Sequence, residues 1–149
     1  MILFRERLWP SAWMYLASAL VIPASILVFL PINLLVGIIT GIVLYIALIL
    51  LLIAAAPTVT VSETVFKAGR ASLPLELAGE VTAHDGEDAR QERGPRLDAR
   101  AWLLIRGWVS GVVRIELLDD SDPVPYWIVS TRHPEALVEA IGTAKSRAA

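Results

Sequence analysis

The 149-residue chain carries 13 Lys and Arg against 15 Asp and Glu, no Cys, and 56% hydrophobic residues. Its mean hydropathy of +0.62 is too high for an ordinary water-soluble domain. The absence of cysteine excludes disulfides, thiolate metal sites and thiol nucleophiles, and residues 8 to 62 hold no charged side chain at all.

From Leu8 to Ala56 there is apolar chain enough for two membrane spans, since about 20 residues cross a hydrocarbon core. Pro31 disfavours helix at Leu30, and Asn33 is the only amide in the stretch, so the break falls between them. Spans are expected near 10–30 and 33–56, joined by a tight hairpin, with residues 1–56 forming the membrane half. Pro23 should free a carbonyl near Ala19 and bend the first helix. Gly37 and Gly41 stand in a G-x-x-x-G step that permits close helix approach, against the first helix or against a partner. Trp9, Trp13 and Tyr15 fit an interfacial aromatic belt. A signal peptide, with Ala17-Ser18-Ala19 as its cleavage site, is the rival reading; a second span following at once speaks against it. Arg5 and Arg7 precede the first span, Lys67 and Arg70 follow the second, and the hairpin loop has no basic residue, a bias that puts both termini in the cytoplasm of a cell whose inner membrane the protein crosses twice.

Residues 57–149 contain 11 basic and 14 acidic side chains, enough chain for one small core. Alternation over Thr58–Phe66 predicts a strand, with a turn at Ala68-Gly69. Ala71–Leu77 predicts a second, confined by Pro74 to an edge or bulge, and Gly79–Ala83 a third. His84 to Arg100 has nine charged residues and almost no apolar ones, which predicts an exposed loop. Strands are expected again at 101–106, 112–118 and 126–131. Pro134 and Glu135 then start an amphipathic helix with Leu137, Ile141 and Ala144 on one face. The expected fold is a transmembrane hairpin followed by a small antiparallel β-barrel or sheet with one C-terminal helix.

The opening Glu6-Arg7-Leu8-Trp9-Pro10, the apolar hairpin, the strand ending in Ala68-Gly69-Arg70 and the closing run from Pro125 to Leu137 resemble a family of small actinobacterial membrane proteins known only as a domain of unknown function. That resemblance covers nearly the whole chain and implies no activity. The closing strand, Ser130-Thr131, Pro134-Glu135 and the helix are also similar to bacterial pleckstrin-homology-like (PH-like) domains, which would imply about seven strands and one C-terminal helix; fold does not give function.

Candidate sites are sparse. His84-Asp85-Gly86-Glu87-Asp88 offers imidazole and carboxylate ligands, but adjacent ligands in a loop rarely close a metal site, so a solvated acidic turn is expected. Asp119, Asp120 and Asp122 lack the EF-hand glycine and distant Glu and read as a turn. Arg90, Arg93, Arg96 and Arg100 are spaced to make one stripe if helical, and Arg96, Arg100 and Trp108 are the candidate lipid or interface contacts. The nearby acids argue for self-pairing instead. No nucleophile motif, phosphate loop or zinc motif is present, so neither catalytic residues nor a metal or cofactor are expected. An acidic domain without a basic aromatic stripe does not suit nucleic acid.

The expectation is a non-enzymatic inner-membrane protein that tethers a cytoplasmic PH-like domain as adaptor or accessory subunit. Its partners would be membrane lipids and a membrane-associated protein or a second copy. The alternative is a membrane-bound enzyme or binding protein for lipid or lipid-linked substrates, against which the spans offer no ionisable side chain beyond tyrosine.

Overall fold

The computed structural model describes residues 1–148 and resolves into two units, Trp9–Ala56 and Met1–Leu8 with Pro57 onward. The boundary expected at residue 56 therefore needs a correction at its other end, because residues 1–8 belong to the β unit.

The hairpin unit comprises α1 (Ala12–Ser18), α2 (Val21–Phe29) and α3 (Leu34–Ala54). Taken together, α1 and α2 make one apolar stretch, Ala12–Phe29, and it and α3 are long and apolar enough to cross a membrane. The interruption at Ala19–Leu20 is the effect of Pro23, which has no N–H to give; the Ala19 carbonyl accepts instead from Ile22 N at 3.1 Å. Asn33 starts α3 as its N-cap, its side-chain oxygen accepting from the amides of Leu35 (2.8 Å) and Val36 (3.3 Å). In the apolar first stretch, Ser18 satisfies its hydroxyl internally on the Met14 carbonyl at 2.7 Å.

The β unit holds two four-stranded sheets. Sheet one runs in the order β1 (Ile2–Arg7), β2 (Thr58–Ser62), β3 (Val65–Ala68), β4 (Ala71–Pro74), all antiparallel. Sheet two has the order β5 (Ala78–His84), β7 (Val112–Leu117), β8 (Tyr126–Ser130), β6 (Trp102–Leu104), with β6 parallel to β8 and the other pairs antiparallel. Both sheets are open, so the closed-barrel form of the expectation does not hold. Two further corrections concern local structure. The strand expected over 58–66 is a hairpin, turned where the Ser62 hydroxyl donates to the Val65 carbonyl at 2.8 Å and accepts the Val65 amide at 3.2 Å. The loop expected over 84–100 contains α4 (Gly86–Arg93), so the C-terminal helix α5 (Pro134–Ala148) is not the domain's single helix.

Alternation places Val59, Val61 and Phe66 of sheet one and Val113, Ile115, Trp127 and Val129 of sheet two in a common core, closed by Leu137, Ile141 and Ala144 of α5. The other face of sheet two packs Val112, Tyr126 and Ile128 against Ala89 of α4. Strand β8 is thus buried along its whole length, which explains its near-continuous apolar run. Strand β1 is clasped to the far end of the domain: Glu6 accepts from the Thr131 hydroxyl (2.5 Å) and the Arg132 amide (3.0 Å), and Leu8 N donates to Pro57 O at 2.9 Å where the hairpin leaves and returns.

Candidate functional site: a charged cluster beside helix α4

Helix α4 forms in a segment of few apolar residues because its ends are well made. The Asp85 side chain accepts from the Gly86 amide at 2.7 Å, Glu87 and Asp88 sit in the first turn and Arg90 and Arg93 in the last, each complementing the helix dipole. Helical spacing then brings Asp88 and Glu92 to one face of α4, beside His84 at the end of β5. His84 Nδ1 lies 2.5 Å from Asp88 Oδ2 and its Nε2 lies 2.8 Å from Thr82 Oγ1, so the ring bridges the carboxylate and the hydroxyl.

Two arginines complete the cluster. Arg96 donates to Asp88 Oδ1 at 2.8 Å and to Glu92 Oε1 at 3.3 Å, and Arg114 lies 3.5 Å from Glu92 Oε2 with its guanidinium 4.0 Å from the centre of the Tyr126 ring. Glu92 is only 3% exposed, so these cations offset the cost of burying its charge. The hydrogen bond from His84, then that from Arg96, holds the Asp88 carboxyl below its usual range. The ligand atoms of His84, Asp88 and Glu92 all lie within 4.8 Å of one another, close enough to share an ion. Both carboxylates are already neutralised by guanidinium groups, however, and a divalent cation placed there would face two arginines. The chemistry on offer is ion pairing that docks α4 onto β5 and β7.

The residues singled out by sequence fall in separate places. Gly37 and Gly41 are buried against α2: a Cβ at either would meet the Cα of Ile26 or of Ile22 at 3.0 Å. Arg96 belongs to the cluster just described. Arg100 is held by Asp98, to which it donates from its backbone amide (2.8 Å), Nε (3.2 Å) and a terminal nitrogen (2.9 Å). Arg90 pairs with Glu87, and Arg93 donates to the carbonyls of Ala89 and Val109, so the basic stripe is occupied within the domain. Trp108 is half-buried, its indole N–H donating to the Leu8 carbonyl at 3.2 Å. Asp119 and Asp122 accept hydrogen bonds from Ser121 and Val124 two residues on, the pattern of Asx turns. Glu6, Glu92 and Arg114 escaped sequence reasoning; the i, i+4 spacing of Asp88 and Glu92 is the local signal for the cluster.

The Asp98 carboxyl sits at about 2, held down by the Arg100 guanidinium and then by the Arg100 backbone amide. A folded-state value below the unfolded value near 3.9 stabilises the fold above about pH 4, and that contribution is lost as pH falls through 2. Asp98→Asn should therefore flatten the acid limb of the stability curve between pH 4 and 2, as read by denaturant titration at several pH values. An unchanged limb would show that the pair contributes nothing there.

In comparisons with known proteins, residues 3–141 match the family described as a protein of unknown function, DUF3093. No curated protein and no solved structure matches.

Proposed function

Starting from the premise that this chain belongs to the DUF3093 family, we propose that it is a non-enzymatic integral membrane protein whose hairpin anchors a small β domain at the cytoplasmic face of the inner membrane, where the domain acts as adaptor or accessory subunit. The observation that carries this reading is the antiparallel pairing of β1 with β2, in which Arg7 stands opposite Thr58. The two strands that flank the hairpin are neighbours in one sheet, so a hairpin that spans the membrane must begin and end on the same side of it. Only residues 8–11 and 55–57 separate the strands from the helices, and such short connections keep the domain at the membrane. Basic residues close to both helices, and none in the hairpin loop, favour the cytoplasmic side.

The PH-like reading of the domain is part of this proposal. With the hairpin between β1 and β2 and the α4–β6 segment between β5 and β7 set aside, a four-strand meander, a three-strand meander and a closing helix remain, which is seven strands and one C-terminal helix. The partner is a membrane-associated protein or a second copy, since the domain cannot leave the bilayer surface. The lipid-enzyme alternative finds less support, because the Asp88 carboxylate that meets His84 is also tied to Arg96.

Single cysteines in this Cys-free chain test the topology. In intact spheroplasts a membrane-impermeant thiol reagent should label Ile32→Cys and leave Ala148→Cys untouched until the cells are opened. Labelling of position 148 alone would put the domain outside and end the cytoplasmic-adaptor reading.

A further inference from the structure

Alternation gives sheet one an outer face that is positively charged and carries no acid. Val59, Val61, Phe66 and Ala68 point inward, and the opposite face is crossed by one row, Arg5, Thr60, Lys67 and Ser72, one residue from each strand. Arg5 and Lys67 are two strands apart, about 10 Å. Arg7 stands in the next row toward the end where the chain leaves at Leu8 and returns at Pro57. Arg70 lies in the β3–β4 turn at that same end: the Gly69 amide donates to Thr58 O at 2.9 Å, and a Cβ at Gly69 would lie 3.6 Å from the Pro57 Cβ. The acids near this sheet lie away from that row: Glu63 pairs with the Met1 amine at 3.3 Å in the far turn, Glu76 follows β4 at that same far end, and Glu6 faces Thr131.

Elsewhere in the domain, cations are engaged within the fold. Arg90, Arg96, Arg100, Arg114 and Arg132 pair with carboxylates, and Arg93, Arg106 and Lys145 donate to backbone carbonyls. Among the described residues, Arg5, Lys67 and Arg70 have no such partner, a condition they share with Arg147 on α5. Residues 57–149 have more acids than bases, so acids were available to neutralise this face and none does. Like charges left together on a sheet repel, which is sustained where an external anion offsets them.

We propose that the outer face of sheet one, through Arg5, Lys67 and Arg70 with Arg7 beside them, binds the anionic phosphate headgroups of the bilayer that the hairpin crosses. This rests on the membrane-spanning reading above. Each basic residue near an anionic surface contributes about 1 kcal/mol, about a fivefold preference. The contact is electrostatic and so is screened by salt.

The test uses the full chain in proteoliposomes with bimane on Ser72→Cys, quenched by headgroup-spin-labelled phosphatidylglycerol or phosphatidylcholine. A separate Ile39→Cys label, quenched by acyl-chain spin labels, reports insertion of α3. The phosphatidylglycerol-to-phosphatidylcholine preference at position 72 should fall about fivefold in Lys67→Gln, approach unity in the Arg5→Gln/Lys67→Gln/Arg70→Gln variant, and collapse in high salt. Quenching at 39 without lipid preference at 72 would overturn the headgroup contact and leave the spanning reading intact. No quenching at 39 would overturn the spanning reading itself. Competition by millimolar inorganic phosphate in solution would assign the face to a small anion and likewise overturn the proposal.

Discussion

Replacing Ile141 with alanine should destabilise the β domain by about 2–5 kcal/mol, the range for truncating a large aliphatic side chain in a packed core. Ile141 is fully buried, and α5 lays it with Leu137 and Ala144 against residues of both sheets. Neither sheet closes on itself, so the helix supplies the apolar cover that barrel closure would otherwise provide. The measurement is denaturant unfolding of the full chain in detergent, followed by near-UV circular dichroism of Trp102 and Trp127, whose ring centres are 4.1 Å apart in the core region. Glu139→Ala, on the exposed side of the same helix, should stay within about 0.5 kcal/mol. A loss at Ile141 no larger than that of the control would mean that α5 does not hold the sheets together.

Glu6→Ala should cost about 2–4 kcal/mol, because two hydrogen bonds to a nearly buried carboxylate are lost together, each worth about 1.5–3 kcal/mol with part regained from water. The Thr131 hydroxyl that donates to Glu6 also accepts the His133 amide at 3.1 Å, just ahead of α5. The carboxylate thus ties the first strand to the junction between β8 and the last helix, residues 125 positions apart in the sequence. Hydrogen exchange should accelerate at β1 amides and at the first turn of α5, while α4 amides keep their protection. Glu6→Gln, which retains an acceptor oxygen, should lose less. If Glu6→Ala behaves like Glu80→Ala at an exposed position, strand β1 is held by its ladder alone.

Local chemistry made some parts of this molecule legible. Two long apolar helices and the break at Pro31 to Asn33 follow from the length of uncharged chain and from two residues with fixed backbone habits. The C-terminal helix follows likewise, because Pro134, Glu135 and the spacing of Leu137, Ile141 and Ala144 all act within a few turns. Helix α4 was illegible for the opposite reason. Its segment has almost no apolar periodicity, and it is held by capping and by ion pairs reaching to Arg96 and Arg114, which local apolar spacing does not encode.

The sequence by itself determined where the hairpin lies, which face of α5 is apolar and that strands outweigh helix in 57–149, since each rests on contacts between near neighbours. Only the tertiary structure decided that Ile2–Arg7 is a strand of the β domain. Six residues, half of them charged, carry no pattern that separates a strand from a flank of the first apolar helix, and their partner β2 lies beyond the whole hairpin. The use of each arginine was decided the same way. Arg96 and Arg100 belong to carboxylates that folding brings beside them, whereas Arg5, Lys67 and Arg70 are gathered on one face by strand register, a relation between positions some sixty residues apart that no local spacing encodes.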